Sequence, residues 1–375
     1  MKKVLVTGGA GFIGSHLCDA LIEKGYKVIV FDNLDQQVHP EGKIPEYLNK
    51  NVDFIKADVR DYTKLKEAVS KSDYIFHFAS AVGVGQSQYQ IVRYVDANIC
   101  GTANLLDILV NTRHHIKKLV VAASMSSYGE GKARCKKCGI FKPELRDLSE
   151  GKKVKKKEYW EIKCPLCGRI AESIPTDEDS RLDSNSIYAI TKKEQEEMCL
   201  LVGKIYGIPV VSMRFFNVYG PRQSLSNPYT GVAAIFISRI KNNRPPVIFE
   251  DGLQTRDFIW ISDVVRANIL ALENEKVNHQ CFNVGTGKPI GILDVAQYLI
   301  KLSGKKISPL ITYRFRKGDV RHCFADITKI EKTLDFRASV SFKDGMSKLL
   351  RWSDSMIAED RFTCVMDELK KKKLV

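Results

Sequence analysis

The stretch from Val4 to Gly14 is the feature that most constrains how this chain folds. β-Prone residues lead into glycines at positions 8, 11 and 14, and apolar residues then recur at helical spacing as far as Ile22. A strand, a tight turn and a helix in this order form the first unit of a doubly wound parallel sheet. Gly8 permits a positive φ, Gly11 removes the side chain that would hold a pyrophosphate away, and Gly14 lets the helix lie close to the strand.

The helix after this turn presents free N–H groups and a positive dipole end to a ligand beside the glycines. A strand over residues 27–31 ends in Asp32, 18 residues after Gly14, and a ribose-binding carboxylate is expected about 20 residues on. Such a carboxylate repels a 2′-phosphate, and Asn33 follows it with no adjacent arginine. The sequence therefore favours NAD over NADP. The residues expected to contact NAD here are Gly8, Gly11, Phe12, Ile13, Gly14, Asp32 and Asn33.

Strand and helix patterns alternate through the first part of the chain, which is typical of an α/β fold with a doubly wound parallel sheet. The strand over 74–78 ends in the small residues Ala79 and Ser80, which leave room for a ligand at the carboxyl end of the sheet. A long helical pattern covers 91–112, and the next strand covers 119–123. Because the chain has 375 residues and single cores stop growing near about 250–300 residues, we expect two domains.

The net charge of +15 is unevenly distributed. A surplus of 6 positive charges lies in residues 130–175, and residues 370–373 are four lysines. Solvated lysine faces, or attraction for anionic substrates, explain this better than a nucleic-acid partner. No apolar run reaches the about 18 residues of a membrane span, and the first strand starts close to Met1, which leaves no room for a signal peptide. We expect a cytoplasmic protein whose ten cysteines form no disulfides.

The strand over 119–123 brings Ser124 to the same sheet edge as the glycine turn. The next helical pattern starts at Ser186 and carries Tyr188 and Lys192, which share a helix face because they are four residues apart. That spacing recurs elsewhere in this lysine-rich chain, so the position after a serine-bearing strand end is what singles out this pair. A neighbouring ammonium and the positive nicotinamide favour the Tyr188 phenolate, which takes a proton from a sugar hydroxyl held by Ser124 while hydride leaves for NAD.

Together these segments resemble the extended short-chain dehydrogenase/reductase family, and within it the NAD-dependent nucleotide-sugar epimerases. The motifs that carry the resemblance are Gly8/Gly11/Gly14, Asp32, Asp58, Ser124, Tyr188-x-x-x-Lys192, Arg214 to Arg222, Arg256-Asp257-Phe258 and Arg316 to Arg321. Three further segments, 82–87, 224–229 and a cysteine-bearing insertion, are similar to dTDP-L-rhamnose 4-epimerases.

The resemblance implies inversion of a sugar carbon, most simply C4, through a transient 4-keto sugar, in a homodimer. It implies further contacts to NAD from Asp58, Val59, Ala79, Ser80, Asn98, Tyr188 and Lys192. It implies contacts to the nucleotide sugar from Ser87, Ser124, Ser126, Asn217, Arg256, Arg316, Asp319 and Arg321. At the position of Cys323 the family gates the space beside the sugar, and a small cysteine admits a larger substituent. The alternative is that Cys323 belongs to the ordinary core and that the gate is set elsewhere.

The insertion separates Ser124 from Tyr188 by 64 residues, where the family needs roughly two dozen. It contains Cys135-x-x-Cys138-Gly and Cys164-x-x-Cys167-Gly, with 25 residues between the pairs. Each Cys-x-x-Cys-Gly motif forms a tight turn that can place two thiolates on one metal ion. Two such turns complete a tetrahedral zinc site of four cysteines with no open position, so a structural zinc ribbon over 130–175 is expected. A redox or unligated dithiol pair is the alternative. We expect a Rossmann domain over 1–220 with a strand over 281–285 returning to it, and a smaller α/β substrate domain over 221–375.

Two other functions remain open at this level. A nucleotide-sugar 4,6-dehydratase would need an extra acid and base after Ser124, where the chain has Met125 and Ser126. A non-enzymatic NAD-binding regulator whose basic zinc ribbon binds nucleic acid would need salt-sensitive binding and has no use for the serine, tyrosine and lysine set.

Overall fold

A computed structural model describes residues 1–146 and 154–375. Residues 147–153, which belong to the predicted insertion, lie outside this description. Among the helices of the described residues, none combines the length and the apolar character that crossing a membrane requires.

The strands in chain order are β1 (Lys3–Thr7), β2 (Lys27–Asp32), β3 (Asp53–Lys56), β4 (Tyr74–His77), β5 (Lys118–Ser124), β6 (Ala133–Cys135), β7 (Gly139–Phe141), β8 (Glu172–Ser173), β9 (Val210–Phe215), β10 (Asn217–Tyr219), β11 (Val247–Ile248), β12 (Thr255–Trp260), β13 (Gln280–Val284), β14 (Pro289–Gly291), β15 (Leu310–Ile311) and β16 (His322–Cys323). The α-helices are α1 (Phe12–Glu23), α2 (Tyr62–Ser70), α3 (Val84–Ser87), α4 (Ile91–Tyr94), α5 (Gly101–Asn111), α6 (Lys157–Trp160), α7 (Ile187–Tyr206), α8 (Val232–Lys241), α9 (Ile261–Glu273), α10 (Ile292–Ser303), α11 (Thr328–Leu334), α12 (Phe342–Asp354) and α13 (Phe362–Lys371).

The main sheet has seven strands in the order β13-β9-β5-β4-β1-β2-β3, and every pairing in it is parallel. The strand order reverses between β1 and β4, which is the point where a doubly wound sheet binds ligands at its carboxyl edge. The predicted α/β class with a Rossmann-like parallel sheet is therefore confirmed.

Both faces of this sheet are buried. In β1, Val4 and Val6 belong to one apolar cluster and Leu5 to a second one, so successive side chains pack on opposite faces. Burial on both faces explains why the parallel strands are continuously apolar and not alternating.

The helical pattern predicted over 91–112 forms one helix from Ile91 to Asn111. A π-helical turn, Val95–Cys100, lies in it between α4 and α5. Such turns admit one extra residue per turn and re-aim the side chains that they carry. Here the turn contains Asn98, which is fully buried and points toward α7.

Smaller sheets lie beyond the main one. β12 pairs with β10 and β16 in parallel and with β14 antiparallel, while β11 pairs with β15. The described part of the insertion forms a third small sheet, in which β6 pairs antiparallel with β7 and β8.

Candidate functional site

The glycine turn between β1 and α1 has the tight geometry that its sequence predicts. Gly8 has φ +72°, and a Cβ placed on it would lie 2.8 Å from the backbone nitrogen of Ala79 at the end of β4. A Cβ on Gly14 would lie 2.3 Å from the carbonyl oxygen of Gly8, so any larger residue would force α1 away from β1. The turn is a backbone cradle at the switch point of the sheet, and its shape fits a dinucleotide pyrophosphate.

A cavity of about 710 Å³ begins at this cradle and runs along the carboxyl edge of the sheet. The predicted site residues that line it are Gly8, Gly11, Phe12, Ile13, Gly14, Asp32, Asn33, Asp58, Val59, Ala79, Ser80, Ser124, Ser126, Tyr188, Lys192, Asn217, Arg256, Arg316 and Asp319. The topology thus brings most of the predicted cofactor and substrate residues to one continuous surface.

Asp32 and Asp58 mark the end of the cavity beyond the glycine turn. The Asp32 carboxylate accepts hydrogen bonds from the backbone nitrogens of Ala10, at 3.0 Å, and Leu34, at 2.9 Å. The Asp58 carboxylate accepts two hydrogen bonds from the Arg60 guanidinium, which chiefly hold its pKa at about 2. Arg60 lines the cavity and sequence reasoning missed it.

Tyr188 and Ser124 meet at the middle of the cavity. Ser124 Oγ accepts a hydrogen bond of 2.8 Å from Ser126 Oγ. Burial raises the pKa of Tyr188, and the neighbouring Ser124 hydroxyl opposes that shift. A phenolate at this position therefore needs a positive group brought close to it.

Lys192 lies one helical turn after Tyr188 on α7. Burial lowers its pKa to about 8, and its Nζ donates to Oε1 of Gln195. Gln195 Nε2 in turn donates to Thr102 Oγ1 at 2.9 Å, and the Nε2 atom of His77 lies 3.0 Å from the same oxygen. Lys192 is therefore the last member of a buried series of hydrogen-bonded side chains, which fixes its side chain beside the cavity.

Two predicted contact residues lie behind the cavity wall. Asn98 Oδ1 accepts a bond of 2.7 Å from the backbone nitrogen of Ala81, and its Nδ2 donates to Thr191 Oγ1 at 2.9 Å, so it joins the end of β4 to α7. Ser87 is fully buried and accepts a bond of 3.0 Å from the backbone nitrogen of Tyr188. Neither residue is in the cavity lining, and both hold residues that are in it.

The far end of the cavity carries the cationic side chains. Arg256 donates to the carbonyl oxygens of Thr255, at 2.8 Å, and Val320, at 2.6 Å. Arg316 pairs with Asp319, with 2.7 Å between Nη2 and Oδ1. Oδ1 of Asn217 is buried with no hydrogen-bond partner in the described part of the chain, so a donor from a ligand would satisfy it.

Arg321 and Cys323 lie outside the cavity lining, unlike most of the predicted substrate contacts. The Arg321 guanidinium is fully buried and is held by Glu161, Glu250 and Asp251, so it is not available to a substrate phosphate. The side chain of Cys323 is fully buried in an apolar cluster with Met125 and lies outside the cavity lining, so it does not gate the cavity.

One wall of the cavity comes from the C-terminal helix, which sequence reasoning missed. α13 contributes Phe362, Val365, Met366 and Leu369 to the lining. Glu368 Oε2 accepts hydrogen bonds from the hydroxyls of Tyr89, at 2.7 Å, and Tyr229, at 2.8 Å. The signal was present in the sequence, because the four apolar residues follow the i, i+3, i+4, i+7 pattern of one helix face.

The four cysteines of the insertion come together away from this cavity. Cys135, Cys138, Cys164 and Cys167 place their Sγ atoms within 4.8 Å of one another. A tetrahedral zinc ion with Zn–S bonds of about 2.3 Å would separate its sulfurs by about 3.8 Å. The donor set and its spacing fit a structural zinc ion.

Comparisons with known proteins agree with this geometry. The model of the NAD dependent epimerase/dehydratase family matches residues 4–144 and 164–285. The dTDP-L-rhamnose 4-epimerase of Burkholderia thailandensis is 31% identical over 357 residues, which are 94% of each chain.

Solved structures of high similarity include two enzymes in complex with ligands. UDP-glucuronic acid 4-epimerase from Bacillus cereus, bound to UDP-glucuronic acid and NAD, has a TM-score of 0.77 and 28% identity, covering 95% of this chain and 100% of that one. UDP-N-acetylglucosamine 4-epimerase from Methanobrevibacter ruminantium M1, bound to UDP-N-acetylmuramic acid, has a TM-score of 0.75 and 31% identity, covering 95% and 99%. The chain therefore belongs to the NAD-dependent epimerase/dehydratase family.

Proposed function

We propose that the protein is an NAD-dependent 4-epimerase of a nucleotide-diphosphate sugar, of the dTDP-L-rhamnose or UDP-hexose type. The observation that carries this proposal is the position of Ser124 and Tyr188. Both residues line the cavity that also contains the glycine cradle and the side chains of Arg256 and Arg316, and the Ser124 hydroxyl is close enough to Tyr188 to influence its pKa. A sugar whose diphosphate lies at those arginines would present a ring hydroxyl to this pair.

In the proposed reaction Tyr188 removes the proton of the C4 hydroxyl and Ser124 holds the same oxygen. NAD, when bound, accepts a hydride from C4 and returns it. With its pKa at about 8, Lys192 is mostly an ammonium at neutral pH, so it can favour the Tyr188 phenolate from one helical turn away. Once the 4-keto sugar has turned over about its diphosphate linkage, the opposite face of C4 would take the hydride back, and Tyr188 would return the proton to the C4 oxygen.

The residues at the cationic end hold the part of the substrate that does not react. Arg256 and Arg316 bind the diphosphate, since a planar guanidinium bonds phosphate oxygens in pairs. Asp319 orients Arg316, and Asn217 supplies the buried amide oxygen that lacks a partner. At the other end Asp32 accepts the ribose hydroxyls of NAD in place of its present backbone contacts, and Asp58 lies at the adenine.

The proposal is tested by incubating the protein with a panel of dTDP- and UDP-linked hexoses and following the epimer ratio by NMR. A 4-epimerase approaches the same equilibrium ratio from either epimer without net consumption of NAD. Release of water to a 4-keto-6-deoxy sugar would instead identify a dehydratase.

We further propose that the insertion binds one structural zinc ion through its four cysteines, forming the ribbon over 130–175. Four thiolates fill a tetrahedral site and leave no position for substrate. None of the ten cysteines, all of which lie in the described part of the chain, is placed in a disulfide, which suits the reducing cytoplasm that we propose as the location.

We also propose a homodimer and a two-domain division. α7 exposes Leu201, Ile205 and Tyr206, and α4 beside it exposes Val92, so an apolar face spans two neighbouring helices. A second copy related by a two-fold axis would cover that face, and light scattering would then give twice the chain mass. Residues 1–220 with the returning strand form the NAD-binding domain and 221–375 the main part of the substrate domain.

A further inference from the structure

We propose that the cysteine-bearing insertion positions the diphosphate-binding segment of the substrate cavity, through a buried charge cluster made of Arg146, Glu161, Arg321 and their partners. This inference rests on the proposed function, because it assigns the segment from Arg316 to Val320 to the nucleotide diphosphate. It gives the insertion a role in substrate affinity, although its cysteines lie outside the cavity.

Arg146 is the first link between the insertion and the substrate domain. Its Nε lies 2.7 Å from Glu130 Oε1, and its Nη2 lies 2.8 Å from Glu250 Oε1. The guanidinium also lies over the ring of Phe315, 5.1 Å from the centroid, and its Nη2 lies 3.5 Å from the carbonyl oxygen of Asp319. One side chain of the insertion thus contacts Phe315, the residue directly before the diphosphate-binding segment, and Asp319 within it.

Arg321 is the second link, because it lies outside the insertion and its side chain contacts a residue of the insertion. Its Nη2 lies 2.7 Å from Glu161 Oε1 in the insertion, and its Nη1 lies 2.6 Å from Asp251 Oδ1. The backbone nitrogen of Arg321 donates to both carboxylate oxygens of Glu130, at 2.8 and 2.7 Å. Glu161 also lies 3.2 Å from Nε2 of His322, so three groups fix the chain directly after Val320.

The other side of the same segment faces the cavity. Arg256 donates to the carbonyl oxygen of Val320 at 2.6 Å and to that of Arg321 at 3.2 Å. Arg316 pairs with Asp319 three residues further on. The segment is therefore held between the insertion on one side and the cavity arginine Arg256 on the other.

The cluster consists of charged side chains that are buried and paired with one another. Four carboxylates share two guanidiniums, and the side chains of Glu130, Glu250 and Arg321 are 1% exposed or less. Removing one partner from such a buried pair leaves an uncompensated charge and is strongly destabilising, so the network favours the present arrangement of the segment. Burial opposes ionisation of Glu161, but its hydrogen bonds to His322 and Arg321 prevail and hold its pKa at about 2.

Glu161→Gln tests this role, because glutamine keeps the shape of the side chain and removes the charge that holds Arg321. The matched control is Glu172→Gln, at an exposed glutamate of the same insertion. For the NAD-loaded protein, the Kd of dTDP and of UDP is measured by calorimetry, together with KM, kcat, and the NAD and zinc content. We expect the KM and the Kd of the diphosphate that binds to rise about fivefold or more in Glu161→Gln, with kcat, NAD and zinc retained.

Glu161→Asp keeps the charge and should recover most of the affinity, and Glu172→Gln should match the unchanged protein. Arg146→Lys, which keeps the charge but loses the planar fork, is the second test should Glu161→Gln not fold, and we expect the same rise in KM and Kd. Diphosphate binding as tight as in the unchanged protein, or equal losses of NAD and diphosphate binding, would overturn the inference. An unchanged protein that binds neither dTDP nor UDP would contradict the proposed function instead.

Discussion

The hydroxyl of Ser87 accepts a hydrogen bond of 3.0 Å from the backbone N–H of Tyr188. The first N–H groups of a helix have no partner within it, so a side chain from α3 satisfies one such group at the residue proposed as the base. Ser87→Ala leaves this donor buried and unpaired, and we expect a loss of about 1–3 kcal/mol in stability together with a lower kcat.

Thermal unfolding and steady-state kinetics measure both effects. Ser70→Ala, at an exposed serine in the last turn of α2, is the control and should change neither. A Ser87→Ala protein with unchanged kcat would mean that α7 holds Tyr188 without help from α3.

Tyr188→Phe removes the proposed proton acceptor and keeps the ring. Since a positioned general base contributes at least about 10²-fold, we expect kcat to fall by that factor or more while NAD remains bound. Tyr62→Phe, at an exposed position of α2, is the matched control. Near-normal turnover in Tyr188→Phe would remove this residue from the mechanism.

The pKa of Lys192 predicts how stability depends on pH. Burial lowers this pKa from 10.5 to about 8, so between those pH values the unfolded chain binds more protons than the folded protein. The free energy of unfolding therefore rises with pH across this window, and the cost of burying the charge is fully present below it. Lys192→Met lacks this contribution, which amounts to about 3 kcal/mol.

The two proteins, stripped of NAD, are compared by denaturant unfolding at several pH values. The stability of the unchanged protein relative to Lys192→Met should increase as the pH rises from about 8 toward 10.5. A difference that stays constant across this range would contradict a lowered pKa for Lys192.

The sequence predicts best what depends on neighbouring residues along the chain. The positive φ of Gly8 and the strand end at Ser124 follow from local pattern and sheet periodicity, and the structure has both. The resemblance to the family also identified Arg316 and Asp319, and both line the cavity.

The positions of Arg321 and Cys323 outside the cavity lining could not be predicted, because a motif gives position along the chain but not side-chain direction. The carboxylates that hold Arg321 lie 70 to 191 residues away along the chain, so no local pattern could reveal them. Likewise, the stripe from Phe362 to Leu369 predicts a helix but not the cavity that the helix covers.

Cys135→Ser tests the zinc ribbon. Binding of zinc to four thiolates contributes an apparent free energy of about 10–16 kcal/mol in finger peptides, so the variant should lose the metal and unfold the insertion. The main sheet has its own buried core and should survive. Cys364→Ser, at an exposed cysteine outside the cluster, should retain the zinc. Absence of stoichiometric zinc from protein purified without chelator would refute the site.

Met366→Ala tests whether α13 is a wall of the substrate cavity. Met366 lies in the lining, and α13 is fixed by Glu368 to Tyr89 and Tyr229 on the facing loops. Full contact with one apolar side chain is worth about 1.5–3 kcal/mol, so losing most of it should raise the KM for the nucleotide sugar about tenfold. Met356→Ala removes the same side chain from an exposed position and should leave KM unchanged. Equal KM values for the two variants would mean that the substrate does not reach α13.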